Sequence, residues 1–227
     1  MRSDELGQAC LQSDNIELTR WIFTKFPDVC DYEVIIVAVL ESESPEIFQI
    51  WLDLTAALTR QKFGIIPQIF TKLVLRTAAQ FPQQEARLFE AWRVLCKNGV
   101  VNDGHLSKAL IEVAKSSYSK VQAKVLIELG ADVNSVDPTT RGSGWKTKSA
   151  LRWACKTSSK EAADFVRFLL LEGAVDRQYK HHKPVSEEDG ARNIKVWLGM
   201  NFEELVSWTS AQRESNLAKL KEENSLR

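Results

Sequence analysis

The side chains able to carry chemistry are few and scattered. The chain of 227 residues holds three histidines, His105, His181 and His182, and four cysteines, Cys10, Cys30, Cys96 and Cys155. No two cysteines form a CxxC pair and none stands beside a histidine at a zinc-ligand spacing, so no metal site is expected. Lys180-His181-His182-Lys183 precedes Pro184 and reads as an exposed basic loop, because the two imidazoles lack a third ligand at helical spacing. The acidic clusters Glu41-Ser42-Glu43 and Glu187-Glu188-Asp189 are short and loop-like, which suits solvated carboxylates better than general acid-base work. No GxSxG, GxxxxGKS, GxGxxG or HExxH string occurs. We therefore expect no catalytic residue and no cofactor, and a non-catalytic role is favoured.

What remains unusual is a basic, aromatic stretch. Residues 132–148, DVNSVDPTTRGSGWKTK, form a connection in which one proline and two glycines mark tight turns. Between Pro138 and Lys160 stand six basic residues, Arg141, Lys146, Lys148, Arg152, Lys156 and Lys160, with no acidic one among them. Trp145 lies at the tip side and Trp153 ten residues from Ser143, just inside the following helix. Tryptophan and arginine are the types enriched at binding hot spots. One reading is a platform for an acidic or aromatic-bearing partner. The other is that Trp145 staples its own loop while the lysines are solvated.

The elements that must position these residues recur along the chain. Leu126-Ile127-Glu128-Leu129-Gly130-Ala131-Asp132-Val133-Asn134 and Leu169-Leu170-Leu171-Glu172-Gly173-Ala174 close alike, and Leu95-Cys96-Lys97-Asn98-Gly99-Val100-Val101-Asn102 is a weaker copy. Each reads as the end of an apolar helix with glycine at a left-handed cap. The glycines are 31 and 43 positions apart. Upstream stand Ala109-Leu110-Ile111-Glu112-Val113-Ala114 and Ser149-Ala150-Leu151-Arg152-Trp153-Ala154.

These residues resemble the ankyrin repeat family, whose unit of about 33 residues is a turn plus two antiparallel helices opening with T-P-L-H-x-A. The leucine and alanine of that opening are kept, whereas Arg152 stands in place of the histidine. The resemblance implies an all-α, ankyrin-like solenoid of about five to six helix-turn-helix repeats with short hairpin loops. It implies that leucine and alanine face the seam between repeats, with Cys10 and Cys155 as small buried neighbours of an alanine. It also implies a concave groove shared by Glu112, Val113 and Ser116, and by Arg76, Thr77 and Gln80. Trp153 either faces that groove or lies against the neighbouring helix. Arg152 is expected to tie turns together, as the histidine does, or to meet a ligand.

Outside residues 109–174 the pattern loosens. Apolar residues at helical spacing, such as Ile47, Ile50, Trp51 and Leu54, mark degenerate repeats over 1–103, and recognisable repeats follow over 104–184. Asn201 with Glu204 three residues on predicts a capping box, opening a helix that carries Leu205, Val206 and Trp208. A helix before it is expected over about 191–198. We assign 185–213 to a C-terminal helical cap, making 1–213 a single domain, and 214–227 to a polar tail that is either a solvated helix or frayed. Trp21, Trp51, Trp92, Trp197 and Trp208 are expected to pack in the core.

Bulk properties narrow the partners. Lys+Arg and Asp+Glu both number 30, so no global field draws the chain to nucleic acid or an anionic membrane. The longest apolar run, residues 34–40, is far below the roughly 20 residues of a membrane helix. The start of the chain has no signal-peptide pattern. A cytoplasmic setting is expected, with the nucleus also open. The function expected is a protein-protein interaction module binding through its concave face and basic finger, at Arg141, Trp145, Lys146, Lys148, Arg152, Trp153, Glu112, Ser116 and Arg76. The alternative is a small-molecule-binding protein or atypical enzyme with a Trp/Arg-lined groove.

Overall fold

Short polar side chains set where the helices begin. The computed structural model describes residues 15–26, 101–136, 148–176 and 184–225, with scattered residues from 39 to 97. Regular structure among these is helical, as expected, apart from an isolated antiparallel bridge between Val136 and Ser149. The chain divides into two compact units, Met1–Ala109 and Leu110–Arg227.

In the first unit, helix α1 spans Ile16–Lys25, and Asn15 caps it by accepting from the Leu18 N–H at 2.9 Å. Glu17 in the first turn and Lys25 in the last both complement the helix dipole. Thr19, Ile22 and Phe23 form its buried stripe. Ile47, Ile50 and Trp51 are buried, at the spacing the sequence predicted, and Trp51 is wholly enclosed. Trp21 departs from expectation. It is 53% exposed and meets Phe26 edge-on at 6.4 Å, because it lies just off the buried stripe. Trp92 lies outside the described residues.

Helix α2, Asp103–Ser116, contains the boundary between the units. Its start carries a reciprocal cap. The His105 N–H donates to Asn102 Oδ1 at 3.1 Å, and the Asn102 N–H donates to His105 Nδ1 at 3.3 Å. A neutral imidazole thus takes the place that glutamate holds in an ordinary capping box.

The second unit continues with α3 (Lys120–Glu128), α4 (Ala150–Ala154) and α5 (Lys160–Leu171). Ser119, Ser149 and Ser159 cap these by accepting from the N–H groups of Gln122, Arg152 and Ala162. Helices α3 and α5 end on Gly130 and Gly173, both left-handed, with φ of 109° and 97°. The Ala131 and Ala174 N–H groups donate back to the Leu126 and Leu169 carbonyls, satisfying groups that a helix end leaves bare. Gly99, the weaker copy, lies outside the described residues.

Contacts about 40 residues apart join these pieces. Asn134 donates to the Gly173 carbonyl at 3.1 Å and accepts from the Val175 N–H at 2.9 Å. The Tyr118 hydroxyl donates to Thr157 Oγ1 at 2.7 Å while its ring meets Phe165 edge-on. Tyr118 has φ 51°, a left-handed conformation costing a non-glycine residue about 1 kcal/mol, which these two contacts offset. Leu110, Ala114, Leu151, Ala154 and Cys155 are all fully enclosed.

The C-terminal part holds a 3-10 turn at Val185–Glu187, then α6 (Asp189–Arg192), α7 (Ile194–Leu198) and α8 (Phe202–Ser225). The single helix expected over 191–198 is broken at Asn193. At Asn201 the capping box forms as predicted. Asn201 Oδ1 accepts from the Glu204 N–H at 2.8 Å, and Glu204 Oε2 accepts from the Asn201 N–H at 2.7 Å. Helix α8 packs on α5 through its first turns, where Phe202, Leu205 and Thr209 are buried. It then runs on, exposed, through residues 210–224, so the polar tail is helical to Ser225. Trp197 and Trp208, expected in the core, are 43% and 40% exposed. Periodicity identified their helices but put them at the margin of the buried face.

Candidate binding site

Short helix α4 carries two consecutive side chains with opposite fates. Arg152 turns inward and is buried. Its Nη1 donates to Glu188 Oε1 at 3.3 Å, and Nη2 lies 3.9 Å from Asp176 Oδ1. Asp176 Oδ2 in turn accepts from the Val185 N–H at 2.9 Å. Arg152 thus ties the strand of chain after α5 to the 3-10 turn. Next to it, Gly190 comes so close that an added Cβ would overlap the Cys155 and Thr157 carbonyl oxygens. The Ala191 N–H donates to that Cys155 carbonyl at 3.3 Å. Burial, and after it the negative charges of Glu188 and Asp176, hold the Cys155 thiol far above its ordinary range. It is a packing residue and a poor nucleophile.

Trp153 turns the other way and is half-buried. Three ammonium groups stand over its ring. Lys148 and Lys156 are each 4.5 Å from the ring centroid, and Lys115 is 5.0 Å away. Lys115 comes from the end of α2, Lys148 from just before α4, and Lys156 from just after it. All three lysines are half-buried. The ring quadrupole attracts each cation by about 0.5 to 2 kcal/mol, more as water is excluded. The indole Nε1–H is buried and has no acceptor within hydrogen-bonding distance. Leaving such a donor unpaired costs about 1–3 kcal/mol.

One acceptor beside this arrangement comes from α2 itself. Glu112 Oε1 takes Lys115 Nζ at 2.6 Å, one turn back on α2. Ser116 is exposed and donates from its hydroxyl to the Glu112 carbonyl at 2.9 Å. Of the residues expected to bind a partner, the structure therefore groups Lys148, Trp153 and Glu112, with Ser116 beside them. It sets Arg152 in the interior. Arg141, Trp145, Lys146 and Arg76 lie outside the described residues. Lys115 and Lys156 were not singled out from the sequence. Lys156 belonged to the basic stretch, and Lys115, directly after Ala114 on α2, carried no sequence signal that set it apart.

Among the described residues there is no group of three or more His, Cys, Asp or Glu that would hold a metal. No described helix is long and apolar enough to cross a membrane. Comparison with protein-family models, curated proteins and solved structures yields no match to this chain.

Proposed function

We propose that the chain is a stack of ankyrin-like helix-turn-helix repeats acting as a non-catalytic protein-interaction module. Its recognition centre is Trp153 with Lys115, Lys148 and Lys156, extended by the basic finger at residues 141–148. The observation that carries this reading is the gathering of three half-buried ammoniums over one indole by two separate segments of the chain. Lysines gathered at one ring offer charge complementary to an acidic surface. Tryptophan supplies a rigid apolar platform of the kind that anchors interfaces. The repeat reading is supported by the matched serine caps, the left-handed glycines and the enclosed pairs Ile111–Ala114 of α2 and Leu151–Ala154 of α4. We infer a cytoplasmic setting, in keeping with the free thiols of Cys96 and Cys155.

The test is affinity capture with the full chain, in which the double variant Lys148→Glu and Lys156→Glu is compared with Lys219→Glu and Lys221→Glu on exposed α8. The expected result is a defined set of proteins that the first variant loses and the second retains. Identical capture by both variants contradicts the proposed centre.

A further inference from the structure

We propose that the exposed half of α8 is a self-association surface, on which a second copy of this chain lays its own α8 antiparallel. The proposal is independent of the recognition centre at Trp153.

Helix α8 spans 24 residues, but only its first turns are packed. Phe202, Leu205 and Thr209 are buried, whereas every residue over 210–224 is exposed. The buried stripe does not stop where the packing stops. From Thr209 it runs to Arg213, Leu217 and Leu220 in steps of four, four and three, which is one face of a helix. Arg213 still meets the end of α5, since a Cβ added at Gly173 would lie 2.9 Å from its Nη2. Leu217 and Leu220, further along the same stripe, are 55% and 54% exposed. They are the large apolar side chains of an otherwise polar stretch, SAQRESNLAKLKEEN over 210–224. A helix in water draws most of its stability from packing an apolar face, and about 15 residues without that packing are marginal. Two leucines at this spacing fit the matching stripe of another helix.

The charges beside the leucines say which helix. Glu214 and Lys221 stand on one flank of the stripe, seven residues apart, and Asn216 and Glu223 on the other. A twofold axis midway between Leu217 and Leu220 sets each Leu217 against the Leu220 of the second copy. In such an antiparallel pair each flank faces its own counterpart. Glu214 of each copy then meets Lys221 of the other, and Asn216 meets Glu223. A parallel pair sets Asn216 beside Lys221 instead, with no opposite charges facing. Within α8, neither Glu214 nor Lys221 has an oppositely charged residue three or four positions away, whereas Lys219 has Glu222 and Glu223 there. Two charges unmatched along the helix thus match across the twofold.

The contact is small beside the roughly 1,200–2,000 Å² of a stable interface, so the dimer is weak. A dissociation constant of about 0.1 mM is expected. The chain is therefore single at the dilution of a capture experiment.

Sedimentation equilibrium of the full chain over about 0.01–1 mM tests the proposal. The mean mass should rise from one chain toward two. Leu217→Gln combined with Leu220→Gln should hold it at one chain throughout. Both side chains are exposed, so circular dichroism should show the fold retained. Glu214→Lys alone and Lys221→Glu alone should each weaken the dimer by about tenfold, because two attractions become repulsions. An equimolar mixture of these two variants should restore association, since one flank is then wholly basic and the other wholly acidic. A single-chain mass at every concentration overturns the proposal. So does a dimer that the leucine variant leaves unchanged. So does a mixture of the charge variants that associates no more tightly than either variant alone.

Discussion

The most telling residue after Trp153 is its neighbour Arg152. Its side chain is 9% exposed and its two carboxylate partners are each less than a quarter exposed. Removing the guanidinium takes from Glu188 and Asp176 the cation that both engage. Arg152→Met is therefore expected to lower stability by about 3 kcal/mol, the lower end for a broken buried pair because the carboxylates keep some water. Chemical denaturation measures it. Gly190→Ala should cost about 1–3 kcal/mol by overpacking against the Cys155 and Thr157 carbonyls, read as a lower melting temperature. The sequence made Arg152 visible as a histidine replacement, with a turn-tying role among its alternatives. It did not reveal Asp176 and Glu188 as partners, since these lie 24 and 36 positions downstream. The three-lysine arrangement was hidden for the same reason, because Lys115 precedes Trp153 by 38 positions.

At the scale of elements, helix starts were the most legible feature and buried faces the least. The box at Asn201 and Glu204 formed as its spacing demanded. Asn201→Ala should cost about 1 kcal/mol and shorten α8 from its N-terminus, seen as lost helical circular dichroism. Helix α2 carries a titratable version of the same device. His105 is held below its ordinary pKa, first by partial burial and then by nearby Lys108. Its folded-state pKa is lower than its unfolded one, so the unfolded chain binds the proton more readily. Stability from this cap is present above about pH 6.5 and is lost as pH falls through that value and then the lower folded-state value. His105→Gln should flatten the melting temperature of the chain between pH 7 and 5. A slope equal to that of the wild type would remove His105 as its source. By contrast, the exposure of Trp21, Trp197 and Trp208 was not legible. A 3.6-residue period fixes which way a helix faces only to within a residue. A large ring at the edge of the stripe packs or projects according to neighbours that the local pattern does not contain.

For the molecule as a whole, composition and missing motifs narrowed the function more than any single residue did. Balanced charge argued against polyanions, and the scattered histidines and cysteines against a metal or nucleophile. The helical class followed from spacing in both units, though only the pieces around α2 to α5 carry paired caps and glycines clear enough to match one another. The proposed centre lies where those pieces meet in the second unit, at a place no contiguous stretch of sequence spells out. Lysine footprinting by mass spectrometry on the full chain, with and without a captured partner, examines that centre directly. The account predicts that Lys115, Lys148 and Lys156 become protected together while Lys195, Lys219 and Lys221 react as before. Unchanged reactivity of the three lysines around Trp153 in the partner-bound chain would contradict it.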